Sequence, residues 1–146
     1  MITVGRQRSF DERRVLASAA TAFTDLGYEA TSVDDLLQAT GLHRGSLYQA
    51  FGSKRGLFLS ALRSQLAAPA GTETATSDLG VEAADLANES LLDLLLIATL
   101  ELAPRDDEVR DLIARAITEC IAPDHAALVL GRRLLARAHI APAQPD

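Results

Sequence analysis

Apolar residues return at helical spacing along the first part of the chain, and each stretch of them stops at a glycine. Leu16, Ala19, Ala20, Phe23 and Leu26 form one stripe, closed by Gly27. Val33, Leu36 and Leu37 form a second, closed by Gly41, and Leu47, Ala50 and Phe51 a third, closed by Gly52. A period near 3.6 lines up one face of a helix, and a glycine can take the left-handed turn that ends one. The starts are marked too. Ser9-Phe10-Asp11-Glu12 has the spacing of a capping box, Thr31-Ser32-Val33-Asp34 reads as a second cap, and Ser53 precedes a fourth helix carrying Leu57, Phe58, Ala61, Leu62 and Leu66.

Composition agrees with helices throughout. Ala and Leu supply 50 of 146 residues and Val and Ile only 12, a balance that favours helix over sheet. Beyond Leu66, residues 67–80 are small, polar and without periodicity, which predicts a linker. Three further helices are expected: from about Val81 to Ala103 ended by Pro104, from Asp106 to Ile121, and from Asp124 to His139. The expected fold is all-α. A domain over 8–66 precedes the linker, and a smaller helical domain over 81–146 follows it.

Several functions are disfavoured by the same reading. No apolar run exceeds the length of Leu94 to Ala98, far too short to cross a bilayer, and no signal peptide is expected at the start of the chain. The single cysteine, Cys120, has no disulfide partner in the chain and reads as a small buried hydrophobe, so a cytoplasmic protein is expected. No metal-ligand set, phosphate-cradling glycine loop or nucleophile–base pair stands out; neither an enzyme nor a cofactor is expected. His125 and His139 read as exposed helix-end residues. Charge is divided: residues 1–66 hold eight basic and six acidic groups, net +2, and residues 67–146 hold six and fourteen, net −8. The N-terminal part is the one that tolerates a polyanion.

The segment from Thr31 to Phe51, a helix, a glycine turn and a second short helix, is a helix-turn-helix arrangement. Its second helix offers His43, Arg44, Gly45, Ser46 and Gln49 outward. Long hydrogen-bonding side chains beside small ones suit a helix that must lie close against base edges; Arg pairs with guanine and Gln with adenine.

These residues carry a resemblance. The run Gly27-Tyr28-Glu29-Ala30-Thr31-Ser32-Val33-Asp34-Asp35-Leu36, followed by Ala39 to Lys54 with Gly45-Ser46-Leu47-Tyr48, Phe51 and Ser53-Lys54, closely resembles the tetracycline-repressor (TetR) family. The resemblance covers about residues 8–66. It implies an all-α homodimer in which a three-helix DNA-binding domain is joined through helix 4 to a helical dimerisation and ligand domain. The function implied is a transcriptional regulator, a repressor that binds a palindromic operator and is released by a small molecule.

Carried over by position, Thr31 caps helix 2 and offers its hydroxyl or nearby amides to a phosphate, Arg44, Gly45, Ser46 and Gln49 face bases, and Ser32 and His43 count among the DNA contacts. Tyr48 and Lys54 meet the DNA backbone, and Arg6 and Arg8 form a basic arm. His43 stands where the family commonly has Ser or Thr. The C-terminal half resembles the family less and is shortened. Leu95, Leu102 and Ile113 are its candidate ligand-lining residues, and Val129, Leu130, Leu134 and Ala138 its candidate dimer seam. The partners expected are double-stranded DNA, a second copy of the chain and a small-molecule effector, with no membrane. The other reading open to these residues is a helical interaction module that does not bind DNA, or a heterodimerising partner of a longer regulator.

Overall fold

The computed structural model describes residues 4–67, 81–120 and 123–141, with side chains placed from 12 to 67, 89 to 119 and 124 to 141. The described residues form seven α-helices and no strand. The chain separates into two compact units, Met1–Glu73 and Thr74–Asp146. The expected linker, except for Ala67, lies outside the described residues, as does the side chain of Cys120.

In the first unit, α1 (Val4–Leu26), α2 (Val33–Thr40), α3 (Arg44–Phe51) and α4 (Lys54–Ala67) follow one another through short turns. The glycines end their helices as expected. Gly27, Gly41 and Gly52 all have positive φ, and the Gly27 and Gly41 amides donate to Phe23 and Leu37 carbonyls at 2.8 and 2.9 Å. The cap expected at Ser9 is overturned. Gly5-Arg6-Gln7-Arg8 contains no proline to stop a helix, and helical backbone begins at Val4. Arg6 and Arg8, expected as an arm, therefore belong to the backbone of α1; their side chains lie outside the described residues.

The core of this unit forms where α1 meets α4. Ala19, Ala20 and Phe23 of α1 are almost fully buried, and so are Leu57, Phe58, Ala61 and Leu62 of α4. Phe23, Tyr28 and Phe58 close the cluster, with Phe58 edge-on to both others at 5.0 and 5.4 Å between ring centres. Two apolar residues expected inside lie outside: Leu26 is 52% exposed and Ala50 is exposed. Both stand near the end of a helix, where the stripe has turned past its packing partner.

A contact between α3 and α4 sets the reading helix in place. A β-carbon built at Gly56 would stand 1.9 Å from the Phe51 carbonyl oxygen, so only glycine lets the first turn of α4 pass the end of α3. Ser53 caps α4 as expected, its Oγ accepting from the Gly56 amide at 3.0 Å.

The second unit holds α5 (Val81–Ile97), α6 (Asp107–Cys120) and α7 (Pro123–Arg137). The helix expected to run to Ala103 changes earlier. From Ala98 to Leu102 the turn widens to a π-helix, with the Ala103 amide donating to Ala98, and residues 103–105 tighten into a 3-10 turn. Pro104 explains the change: its ring clashes with the carbonyl four residues back, and a wider turn moves that carbonyl away. Asp106 then caps α6, accepting from the Val109 amide at 3.2 Å.

The residues from Asp93 to Ala98 are all buried. Asp93 is the exception in character. Its two carboxylate oxygens take a bidentate pair from Arg133 of α7, both at 2.7 Å, and Arg137 adds a contact at 3.1 Å. Arg133 also meets Glu89 at 3.2 Å. The hydrogen bonds to Asp93 raise the Arg133 pKa and hold the guanidinium charged.

Candidate nucleic-acid interface

The helix-turn-helix rests on one anchor. In α3 only Leu47 is fully buried and Phe51 half-buried, while Arg44, Gly45, Ser46, Tyr48, Gln49 and Ala50 are exposed. An eight-residue helix held by so few apolar contacts depends on its neighbours for stability, and leaves most of its circumference open. Tyr48, at 43% exposure, is among the large side chains left outside.

Gly45 is the informative residue of this face. Among the described residues a β-carbon there would meet no atom within 4 Å, and its φ is not in the left-handed region. The fold does not ask for glycine, which costs about 0.5–1 kcal/mol relative to Ala inside a helix. Gly56, which has no room for a β-carbon, shows the contrast.

Thr31 and Ser32 divide their tasks differently from expectation. The cap of α2 is Ser32 alone: its Oγ accepts from the Asp35 amide at 3.1 Å, and its own amide donates to Asp35 Oδ2 at 2.8 Å. The Ser32 hydroxyl also donates to Asp35 at 2.6 Å, and these bonds hold the Asp35 carboxyl below its usual pKa. Thr31 is fully buried, and its hydroxyl donates back to the Gly27 carbonyl at 2.6 Å. That hydroxyl fastens the turn between α1 and α2, so the capping role expected of it is corrected.

Lys54 is likewise turned toward the protein. Its Nζ donates to the carbonyls of Tyr28 and Thr31 at 3.0 and 3.1 Å and lies over the Tyr28 ring. Two of its three N–H bonds are thus spent inside the domain. His43 occupies the cap position of α3 with extended backbone and makes no side-chain capping bond. Arg44 reaches from the first turn of α3 to Asp34 of α2. Ser46 and Gln49 line a groove of about 580 Å³ with Leu42, Ala50, Phe51 and, from α1, Glu12 and Val15.

The candidate residues of the second unit fall in two groups. Leu95, Leu102 and Ile113 are buried. On α7, Val129 and Leu130 are half-buried while Leu134 and, just past the helix, Ala138 are exposed. Leu128 and Leu135, not singled out in the sequence, are also exposed, at 53% and 36%. Among the described residues no group of three potential metal ligands forms, and no helix is long and apolar enough to cross a membrane.

Residues 15–61 match the family of bacterial regulatory proteins described as the tetR family. The HTH-type transcriptional regulator YezE of Bacillus subtilis is 35% identical over 120 residues, covering 73% of this chain and 62% of that protein. The HTH-type transcriptional repressor ComR of Escherichia coli is 45% identical over 58 residues, covering 40% of this chain and 28% of that one. The HTH-type transcriptional activator FasR of Mycolicibacterium smegmatis is 38% identical over 61 residues, 40% of this chain and 28% of its own. The chain spans less than two thirds of the length of each of these relatives. No solved structure matches it significantly.

Proposed function

Because residues 15–61 match the tetR family of bacterial regulatory proteins, we propose that the chain is a regulator of that family, which binds double-stranded DNA through α3 and regulates transcription from a specific operator. The observation that carries this reading is the face of α3: exposed, polar and bare at Gly45, where the fold has room for a side chain. A major groove accepts such a helix; in this reading Arg44 and Gln49 reach base edges and the exposed Tyr48 meets the backbone. ComR is a repressor, YezE a regulator and FasR an activator by name, which supports a regulator of transcription; our reading takes it as a repressor.

One α3 covers only a few base pairs, so the reading includes a homodimer on a palindromic site. The exposed leucines of α7 supply apolar surface for a second copy. Release by a small molecule belongs to the same proposal. An effector acts only if it binds the DNA-free arrangement more tightly than the bound one. Leu95, Leu102 and Ile113 would be its lining, and their burial means that it must part packed side chains to enter.

Selection of duplexes from a random pool by the full-length protein tests the reading. The expected result is one enriched palindrome with half-sites about one helical turn apart. A pool that stays random after repeated rounds overturns it.

A further inference from the structure

Arg44 opens α3 and Asp34 lies in the first turn of α2, ten residues earlier, yet their side chains meet at 2.5 Å. Both are largely in the open, Arg44 at 54% and Asp34 at 80% exposure. A pair so exposed is screened by water and adds little to stability. Its effect is on the guanidinium. Arg44 has five N–H donors on a flexible stem, and Asp34 accepts from Nη2 through one bond, which draws the fork toward α2. The remaining donors stay available for a partner with two acceptors side by side, the edge that guanine offers.

The charge of Asp34 matters as well. On a surface that meets phosphates, a carboxylate beside the leading arginine repels any duplex that does not compensate for it. A matching base pair compensates through bonds to the oriented guanidinium; an unmatched sequence does not. Attraction to one partner and a penalty against the others together make specificity.

We propose that Asp34 is a specificity-determining residue, which orients Arg44 for its base pair and weakens binding to every other sequence. This rests on the reading of α3 as the DNA-reading helix. It concerns Asp34, a residue of α2 that would not itself bond a base.

The test uses the full chain, the selected duplex and a scrambled duplex of equal length, with affinities measured by fluorescence anisotropy at several salt concentrations. Asp34→Asn keeps the shape of the side chain and removes its charge. It is expected to bind the scrambled duplex severalfold more tightly and to lower the selected-to-scrambled ratio about tenfold, the size of one lost base preference. Arg44→Ala lowers that ratio by itself, and adding Asp34→Asn to it leaves the ratio unchanged, since the two residues act as one. Thermal melting of each variant shows that the fold is intact. Wild-type discrimination retained in full by Asp34→Asn overturns this proposal alone, as does an equal effect of Asp34→Asn with and without Arg44. A wild type that binds neither duplex overturns the DNA-binding reading together with it.

Discussion

The Lys54 ammonium sits 4.4 Å from the centre of the Tyr28 ring while donating to the Tyr28 and Thr31 carbonyls. It ties the start of α4 to the turn that leads into α2. Tyr28 in turn packs on Phe23 and Phe58, so one lysine reaches the aromatic core through a single ring. Lys54→Met keeps the stem but leaves two carbonyls without their donor and removes the cation from the ring. A loss of about 2 kcal/mol is expected for the N-terminal unit. Urea unfolding of the full chain measures it. A variant as stable as wild type that binds DNA more weakly would return Lys54 to a purely phosphate-facing role.

Asp35 gives the first unit a pH dependence of known sign. Its pKa is lowered in the folded chain by the Ser32 side chain first and the Ser32 amide second. A lowered folded pKa means that the contribution is complete above the unfolded value, about 4, and is lost as pH falls through the folded one. Wild type is therefore expected to melt above Asp35→Asn at pH 6, with the gap closing as pH falls below about 4. Melting curves of both proteins between pH 6 and pH 3 check this. A gap that stays constant contradicts it.

Asp93 is the electrostatic centre of the second unit. Its side chain is 9% exposed, and Arg133 and Arg137 surround it at 20% and 30%. Asp93→Ala removes the carboxylate that both guanidiniums share, leaves Arg133 its longer contact with Glu89, and is expected to destabilise this unit by about 3 kcal/mol. Arg133→Met leaves Asp93 with Arg137 and is expected to be milder. Chemical denaturation orders the two; the reverse order contradicts the assignment.

The helices and their glycine ends were legible because they depend on local signals: a 3.6-residue period, and left-handed turns at Gly27, Gly41 and Gly52. The exposed face of α3 was legible for the same reason. What the sequence concealed is set by contacts across the fold. Gly56 looks like any helix-weakening glycine until the Phe51 carbonyl is placed beside it. Thr31 and Ser32 are equal as cap candidates, and only packing decides which hydroxyl turns inward. Lys54 and Asp93 likewise find partners 23 to 44 residues away, which no local pattern announces.

The apolar face of α7 bears on assembly. Leu134 is 43% exposed, so Leu134→Asp strains the subunit little while placing a charge in the seam of the proposed homodimer. Static light scattering across micromolar concentrations is expected to give the mass of two chains for wild type and one for the variant. Equal masses would move the seam elsewhere.

The central claim, that α3 is bare at Gly45 to let DNA approach, is tested most directly by Gly45→Ala, with stability and duplex affinity measured on the same sample. Among the described residues the added methyl meets nothing, and alanine favours the helix. The predicted result is a melting temperature equal to or above that of wild type, by up to about 1 kcal/mol of stability, with binding to the selected duplex weakened about tenfold or more. A variant that melts higher and binds the duplex as tightly as wild type would contradict the claim.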